Sequence, residues 1–143
     1  MDMNELYSKA LALATRAHEG QKRWDGRDYI IHPVAVADLQ DDIMTKIVAV
    51  LHDTKEDQKW IWPEILLSMP SWVTEAVELV SKLDDEEYFD FIMRIAHSGN
   101  ILAIKVKIAD IMHNMSDLKK GSMRDKYAFA LYVLTFELNK MVS

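Results

Sequence analysis

The chain has 143 residues, half of them hydrophobic, and no cysteine; that length holds one domain with a real core, argues against disorder, and excludes disulfides and thiolate zinc sites. Its 17 basic and 23 acidic residues leave a net charge of −6, which argues against a general nucleic-acid binder and requires any anionic ligand to be attracted locally. No apolar run approaches the roughly 20 residues of a membrane helix, and the opening MDMNELYSKALALATRAHEG has an early acid and no cleavage-site pattern, so the expectation is a chain without signal peptide or membrane partner in a reducing cytoplasmic setting.

In chain order, Leu6, Ala10, Leu13, Ala14 and Ala17 recur at helical spacing and predict a helix over 3–19, with Gly20 as its stop. QKRWDGRDYIIHP reads as a polar loop with a short extended piece, and Pro33 suits the first turn of a helix over 33–39. Residues 42–53 are apolar nearly all round, which predicts a central helix. KEDQKWIW reads as a loop, and Pro63 begins a short helix. Ser71 is expected to cap a helix over 72–82, and Asp84 and Asp85 to open one over 86–97 that ends near Gly99. Helices over 100–119 and 122–141 complete an all-α chain, read as one compact helical bundle over 1–143.

Two stretches carry the chemistry. In AVLHDTKED, the apolar run Ile47 to Leu51 leads straight into His52 and Asp53, with Glu56 and Asp57 close behind. If the helix continues through residue 57, Glu56 lies four residues from His52 and Asp57 four from Asp53, so all four groups point to one side. In ILAIKVKIADIMHNMSDLKK, a polar line of Lys107, Asp110, Asn114 and Asp117 follows one face of a largely apolar helix, and apolar neighbours flank Asp110. Burying unpaired charge is costly. A divalent cation explains a His-Asp pair, two following acids and a separate buried aspartate together, and imidazole with carboxylate suits manganese, iron, zinc or similar ions. A further ligand is open at this level: His32 in YIIHP competes with His18, His97 and His113, and spacing does not choose among them.

The order His32, His52-Asp53, Asp110 resembles the H…HD…D pattern of the HD-domain metal phosphohydrolases. More narrowly, AHEGQKRWDGRDYIIHPVAVA, LHDTKED, VSKLD at 80–84 and VKIADIMHNMSDL at 106–118 resemble, in order, segments of the hydrolase domain of RelA/SpoT-type proteins, including their small stand-alone hydrolases. That resemblance implies a mostly helical single HD-type domain and one divalent ion, manganese, held by His32, His52, Asp53 and Asp110. It implies hydrolysis of the 3′-pyrophosphate of the nucleotide (p)ppGpp to GDP or GTP plus pyrophosphate, ending a stringent-response signal. It also implies that Glu56 and Asp57 handle the attacking water, that Asn114 lies near the nucleotide, and that Arg23 lines the base pocket with Tyr29 in the same loop. The chain departs from the family pattern at Trp24-Asp25 and at the acidic stretch 84–87.

The chemistry is coherent. A phosphoanhydride is inert because its anionic oxygens repel a nucleophile; a metal neutralises them and lowers the pKa of a bound water toward about 7, and Glu56 or Asp57 can take the proton. Lys22, Arg23, Arg27 and Lys55 offer positive charge on the framing loops, Lys22 and Arg27 being weighted toward plain surface solvation. Trp24 reads as a core anchor rather than a stacking surface. The competing readings are another HD-superfamily nucleotide phosphohydrolase, such as a 5′-nucleotidase or triphosphohydrolase, and a non-catalytic nucleotide-binding module.

Overall fold

Asp2 opens the first helix. Its carboxylate accepts from the Glu5 backbone N–H at 2.8 Å, satisfying a donor that has no partner inside the helix, and α1 runs over Met3–Ala17. His18 closes it, and Gly20, at a φ of +81°, turns the chain into the loop as a left-handed residue. The computed structural model describes residues 1–116 and 123–142, so Asp117 and residues 118, 119 and 122 of the expected C-terminal helices lie outside the described residues. The loop after α1 contains an antiparallel bridge between Lys22 and Asp28; otherwise the described chain is helix and turn.

α2 (Ile31–Asp38) takes Pro33 into its first turn, where a missing N–H costs nothing. α3 (Ile43–Leu51) is capped by Asp42, whose carboxylate accepts from the Thr45 N–H at 3.0 Å and from its hydroxyl at 2.7 Å. Val48, Ala49, Val50 and Leu51 of α3 are completely buried, and the helix packs against α1, α2, α6 (Ser71–Leu79) and α8 (Ile101–Ser116). It is therefore the central element that its apolar sequence predicted. Each of the valines and Leu51 contributes about 1.5–3 kcal/mol through removal from water.

α3 stops earlier than the sequence suggests. The Thr54 hydroxyl donates to the Leu51 carbonyl at 2.7 Å, and the Ala49 carbonyl accepts from both the backbone N–H and the Nδ1 of His52. These local bonds compete with the helical ladder and end it. The chain turns through His52 and Asp53 and restarts as α4, Thr54–Asp57, so KEDQKWIW is not a plain loop: it holds most of α4 and a 3₁₀ turn at Lys59–Ile61.

α5 (Trp62–Ser68) begins with Pro63 in its first turn. Pro70, not Ser71, occupies the N-cap of α6, and Ser71 lies inside the helix. α7 (Tyr88–Ala96) starts two residues later than expected, because the chain before it is held in a turn. In that turn Glu86 accepts from the Leu83 N–H at 3.1 Å and from Arg94. Gly99 makes the left-handed break, the Asn100 side chain accepts from the Ala103 N–H at 3.0 Å, and α8 and α9 (Arg124–Val142) complete the bundle. Among the described residues, no helix is long and apolar enough to cross a membrane.

α2 and α8 both pack on α3 and on each other. The first turn of α2, the break after α3 and the middle of α8 therefore meet at one point.

Candidate metal centre

At that point stand His32, His52, Asp53 and Asp110, which each offer one ligand atom, all within 4.8 Å of one another. His32 Nε2 lies 2.8 Å from Asp110 Oδ1, and His52 Nε2 lies 3.2 Å from the same oxygen and 3.2 Å from Asp53 Oδ2. Both imidazoles and Asp110 are buried, and Asp53 is nearly so. The structure thus brings His32, and not its competitors, into this cluster. His97 is exposed beyond α7, His18 faces the loop, and His113 stands behind His32 rather than beside it.

The outer contacts set the tautomers. His52 Nδ1 is 2.6 Å from the Ala49 carbonyl, so it carries a proton and turns Nε2 toward Asp53 and Asp110. His32 Nδ1 is 2.7 Å from His113 Nδ1. With His32 Nε2 reserved for a cation, His32 donates and His113 accepts. Partners of this kind orient imidazole ligands. Tyr29 donates its hydroxyl to Asp53 Oδ2 at 2.6 Å, Lys107 Nζ lies 2.8 Å from Asp110 Oδ2, and Asn114 Nδ2 donates to Asp110 Oδ1 at 3.3 Å.

The electrostatics favour a cation. Burial pushes the His52 imidazolium down, yet Asp53 and Asp110 outweigh it and raise its pKa well above 6.5. Burial likewise raises Asp110, but Lys107 and the two imidazoles overrule it and hold the carboxyl well below the usual range. The pocket holds positive charge against the cost of burying it, and its mixed nitrogen and oxygen donors suit a first-row divalent ion. The residues present fit a metal.

Glu56 and Asp57 do not project together. Because the helix breaks at His52, α4 sends them to different partners: Glu56 Oε2 accepts from the Lys82 N–H at 3.1 Å, and Asp57 Oδ2 from Gln21 Nε2 at 3.3 Å. Both keep contact with solvent, but surrounding protein displaces enough water to raise their pKa values, and the Asp53 charge adds to the rise. A cavity of about 150 Å³ beside Glu56 is lined by Lys55, Lys59, Ser81, Lys82, Leu83 and Asp84.

In the loop, Trp24 falls differently from expectation. Trp24 is 60% exposed and Arg23 is 8% exposed. The tryptophan expected in the core lies at the surface, because the tight Arg23–Gly26 turn and the Arg23–Arg27 backbone bond turn the chain inward at Arg23. Lys22 pairs with Asp28 and Arg27 with Asp25, all on the exposed loop, so their charges are matched locally. Tyr29, in the same loop, bonds a metal-site carboxylate. Lys107, in the polar line of α8, is largely buried, and flanking Val106 and Ile108 are the signal for it. Sequence reasoning passed over Lys59 and Lys82, which topology alone brings to Glu56.

No protein-family model matches the chain. Over 129 residues it is 38% identical to the bifunctional (p)ppGpp synthase/hydrolase SpoT of Escherichia coli K12, covering 81% of this chain and 18% of the relative. It is 36% identical over 133 residues to a guanosine-3′,5′-bis(diphosphate) 3′-pyrophosphohydrolase of Vibrio cholerae, covering 84% and 19%. It is 33% identical over 122 residues to a GTP pyrophosphokinase of Streptomyces coelicolor, covering 78% and 14%. The chain thus spans less than a fifth of the length of these curated relatives. A solved structure described as a metazoan orthologue of SpoT that hydrolyses ppGpp matches with a TM-score of 0.72 and 19% identity over 95% of this chain and 93% of that one; this likeness is one of fold.

Proposed function

This chain is a homologue of the hydrolase domain of SpoT/RelA-type proteins, and on that premise we propose that it is an enzyme: a metal-dependent hydrolase acting as one HD-type domain. Its substrate in this reading is the small nucleotide (p)ppGpp, cleaved by water at the 3′ position to GDP or GTP plus pyrophosphate in a cytoplasmic setting. The observation that carries the reading is the meeting of two imidazoles and two carboxylates within 4.8 Å, flanked by two further carboxyls of raised pKa.

His32, His52, Asp53 and Asp110 would hold the ion, with manganese the proposed one. Such an ion, when bound, supplies neutralisation of phosphate oxygens and acidification of a water. The rest falls to the chain. Glu56 and Asp57 accept and pass on the proton of the attacking water, and their raised pKa values bring them closer to the operating pH. The Lys82 N–H and the Gln21 amide hold those two carboxyls apart, one on each side. Lys107 holds Asp110 Oδ2 and leaves Oδ1 to the two imidazoles, while Tyr29 holds Asp53 Oδ2, the oxygen nearest the His52 ring, and so fixes that carboxylate against the cluster. Lys55, Lys59 and Lys82 provide the local positive charge by which an acidic chain accepts a polyanion. Asn114 stands beside Asp110, where its amide serves phosphate or ribose, and Arg23 belongs to the loop assigned to the guanine base.

The test is product identity with manganese and guanosine tetraphosphate. GDP plus pyrophosphate supports the reading. Inorganic phosphate released from simple 5′-monophosphates, with guanosine tetraphosphate untouched, assigns the chain to the nucleotidases. Stoichiometric binding without turnover assigns it to the binding modules.

A further inference from the structure

His18 is buried at the end of α1, 2% exposed, and no metal-site role falls to it. Its Nδ1 lies 2.7 Å from Gln21 Oε1, and Gln58 Nε2 donates to that same oxygen at 2.9 Å. Two donors on one amide oxygen fix the orientation of the amide: its nitrogen must point the other way. There it faces Asp57 Oδ2 at 3.3 Å. The backbone pins the same residue at both ends, since the Gln21 N–H donates to the His18 carbonyl at 2.9 Å and the Tyr29 N–H to the Gln21 carbonyl at 2.9 Å. The left-handed Gly20 is what lets residue 21 return to residue 18. On its other side the His18 ring lies 4.9 Å from the ring of Tyr29, whose hydroxyl holds Asp53.

Packing does not account for this imidazole. Among the described residues its buried Nε2 has no hydrogen-bond partner, which costs free energy that a leucine of similar size would avoid. What compensates is the Nδ1–H bond to Gln21.

We propose that His18 is a positioning residue for Asp57: its Nδ1–H fixes the Gln21 amide, and that amide aims the Asp57 carboxylate at the reacting water. The proposal rests on the role given to Asp57 above. It assigns the glutamine of the loop to the carboxylate, not to the nucleotide, and it makes α1 part of the site.

The experiment compares His18→Leu, His18→Asn, His18→Gln, Gln21→Leu and Asp57→Asn as full chains with manganese and guanosine tetraphosphate. Readouts are kcat, KM, manganese content and the side-chain amide resonances of Gln21 in ¹H–¹⁵N spectra. The asparagine amide nitrogen overlays imidazole Nδ1, whereas the glutamine amide overlays Nε2. His18→Leu and His18→Gln are expected to lose about tenfold in kcat, the low end for an outer partner of a functional group, with KM and manganese content held and the Gln21 amide signals shifted. His18→Asn should restore both kcat and signals. Gln21→Leu, a change in a half-buried loop residue, should reproduce the kcat loss should His18→Leu fail to fold. Wild-type kcat in His18→Leu or Gln21→Leu, beside an inactive Asp57→Asn, overturns the inference and leaves the role of Asp57 standing. Equal losses in His18→Asn and His18→Leu with unmoved Gln21 signals would reduce His18 to packing. Full activity of Asp57→Asn overturns the role of Asp57 and the inference together.

Discussion

Lys107 and Asp110 form a buried ion pair, Nζ to Oδ2 at 2.8 Å, directly behind the candidate metal centre. The ammonium also lies 4.9 Å from the centre of the Phe91 ring, an arrangement that favours a desolvated cation. Removing one partner of a buried pair leaves the other uncompensated. Lys107→Met should therefore destabilise the metal-free chain by about 3 kcal/mol. It should also make manganese more stabilising for the variant than for wild type, because the ion replaces the missing charge and no longer meets a neighbouring ammonium. Chemical denaturation with and without manganese reads both effects. An equal manganese increment in the two proteins would show that Lys107 does not act on the site.

The four proposed ligands make a sharper prediction. Manganese at about one hundred times its Kd should raise the stability of wild type by about 2.7 kcal/mol through mass action. His52→Ala and Asp53→Ala should abolish that increment along with bound metal and activity. The same holds for Asp110→Ala, whose carboxylate is shared between His32 and His52. Stoichiometric metal in purified Asp110→Ala, measured by elemental analysis, would remove the basis of the assignment.

Glu56 and Asp57 test binding against chemistry. Glu56→Gln keeps shape and the ability to accept from the Lys82 N–H, but it removes the base. Metal content and KM should hold while kcat falls by about 10²-fold. A raised KM with kcat intact would assign Glu56 to substrate binding instead.

The helices and the burial of His52, Asp53 and Asp110 were legible because burial writes itself into sequence; His32 followed only from the family resemblance. A continuous apolar run over 47–51 means a central helix, and an aspartate between Ala109 and Ile111 means a buried charge with a reason. The arrangement of Glu56 and Asp57 was not legible. Helical periodicity puts them on one face with His52 and Asp53, but the Thr54 hydroxyl and His52 ring take the last carbonyls of α3 and end the helix first. Side-chain competition of this kind depends on rotamers, which spacing does not encode. Trp24 failed for a related reason: residue type favours burial of an indole, but the loop's backbone bonds decide which neighbour turns inward. The partners of Glu56 on the 81–84 turn come from a distant part of the chain and follow only from tertiary packing.

That turn depends on Arg94. Its guanidinium donates to both oxygens of Glu86 at 2.8 Å each and to the carbonyls of Leu79 and Ser81 at 3.1 and 3.0 Å. The Arg94 bonds hold the Glu86 carboxyl below its usual 4.5. A carboxyl depressed in the folded state adds stability above its unfolded pKa and loses it as pH falls through the folded value. Glu86→Gln should therefore be less stable than wild type at pH 7, by about 2 kcal/mol for charge-assisted bonds. The gap should close as pH drops below about 4.5, and denaturation midpoints from pH 7 to 3 test it. A gap independent of pH would mean that shape, not charge, holds the turn.

The loop pair Arg23 and Trp24 gives the last test, because the structure reverses what their residue types suggest. Trp24 is 60% exposed, so Trp24→Ala should change stability by no more than about 0.5 kcal/mol, as for an ordinary surface substitution. A core tryptophan would cost about 3–5 kcal/mol on truncation. Arg23 is buried, and its backbone closes the turn at both Gly26 and Arg27. Arg23→Ala should therefore destabilise the chain by about 1–3 kcal/mol, since a buried charged side chain leaves its surroundings unmatched when it is removed. It should raise KM for guanosine tetraphosphate as well, with manganese still bound. Urea unfolding of the two variants side by side decides the matter. A large loss for Trp24→Ala with none for Arg23→Ala would mean that the indole, not the guanidinium, is the inward anchor of the loop.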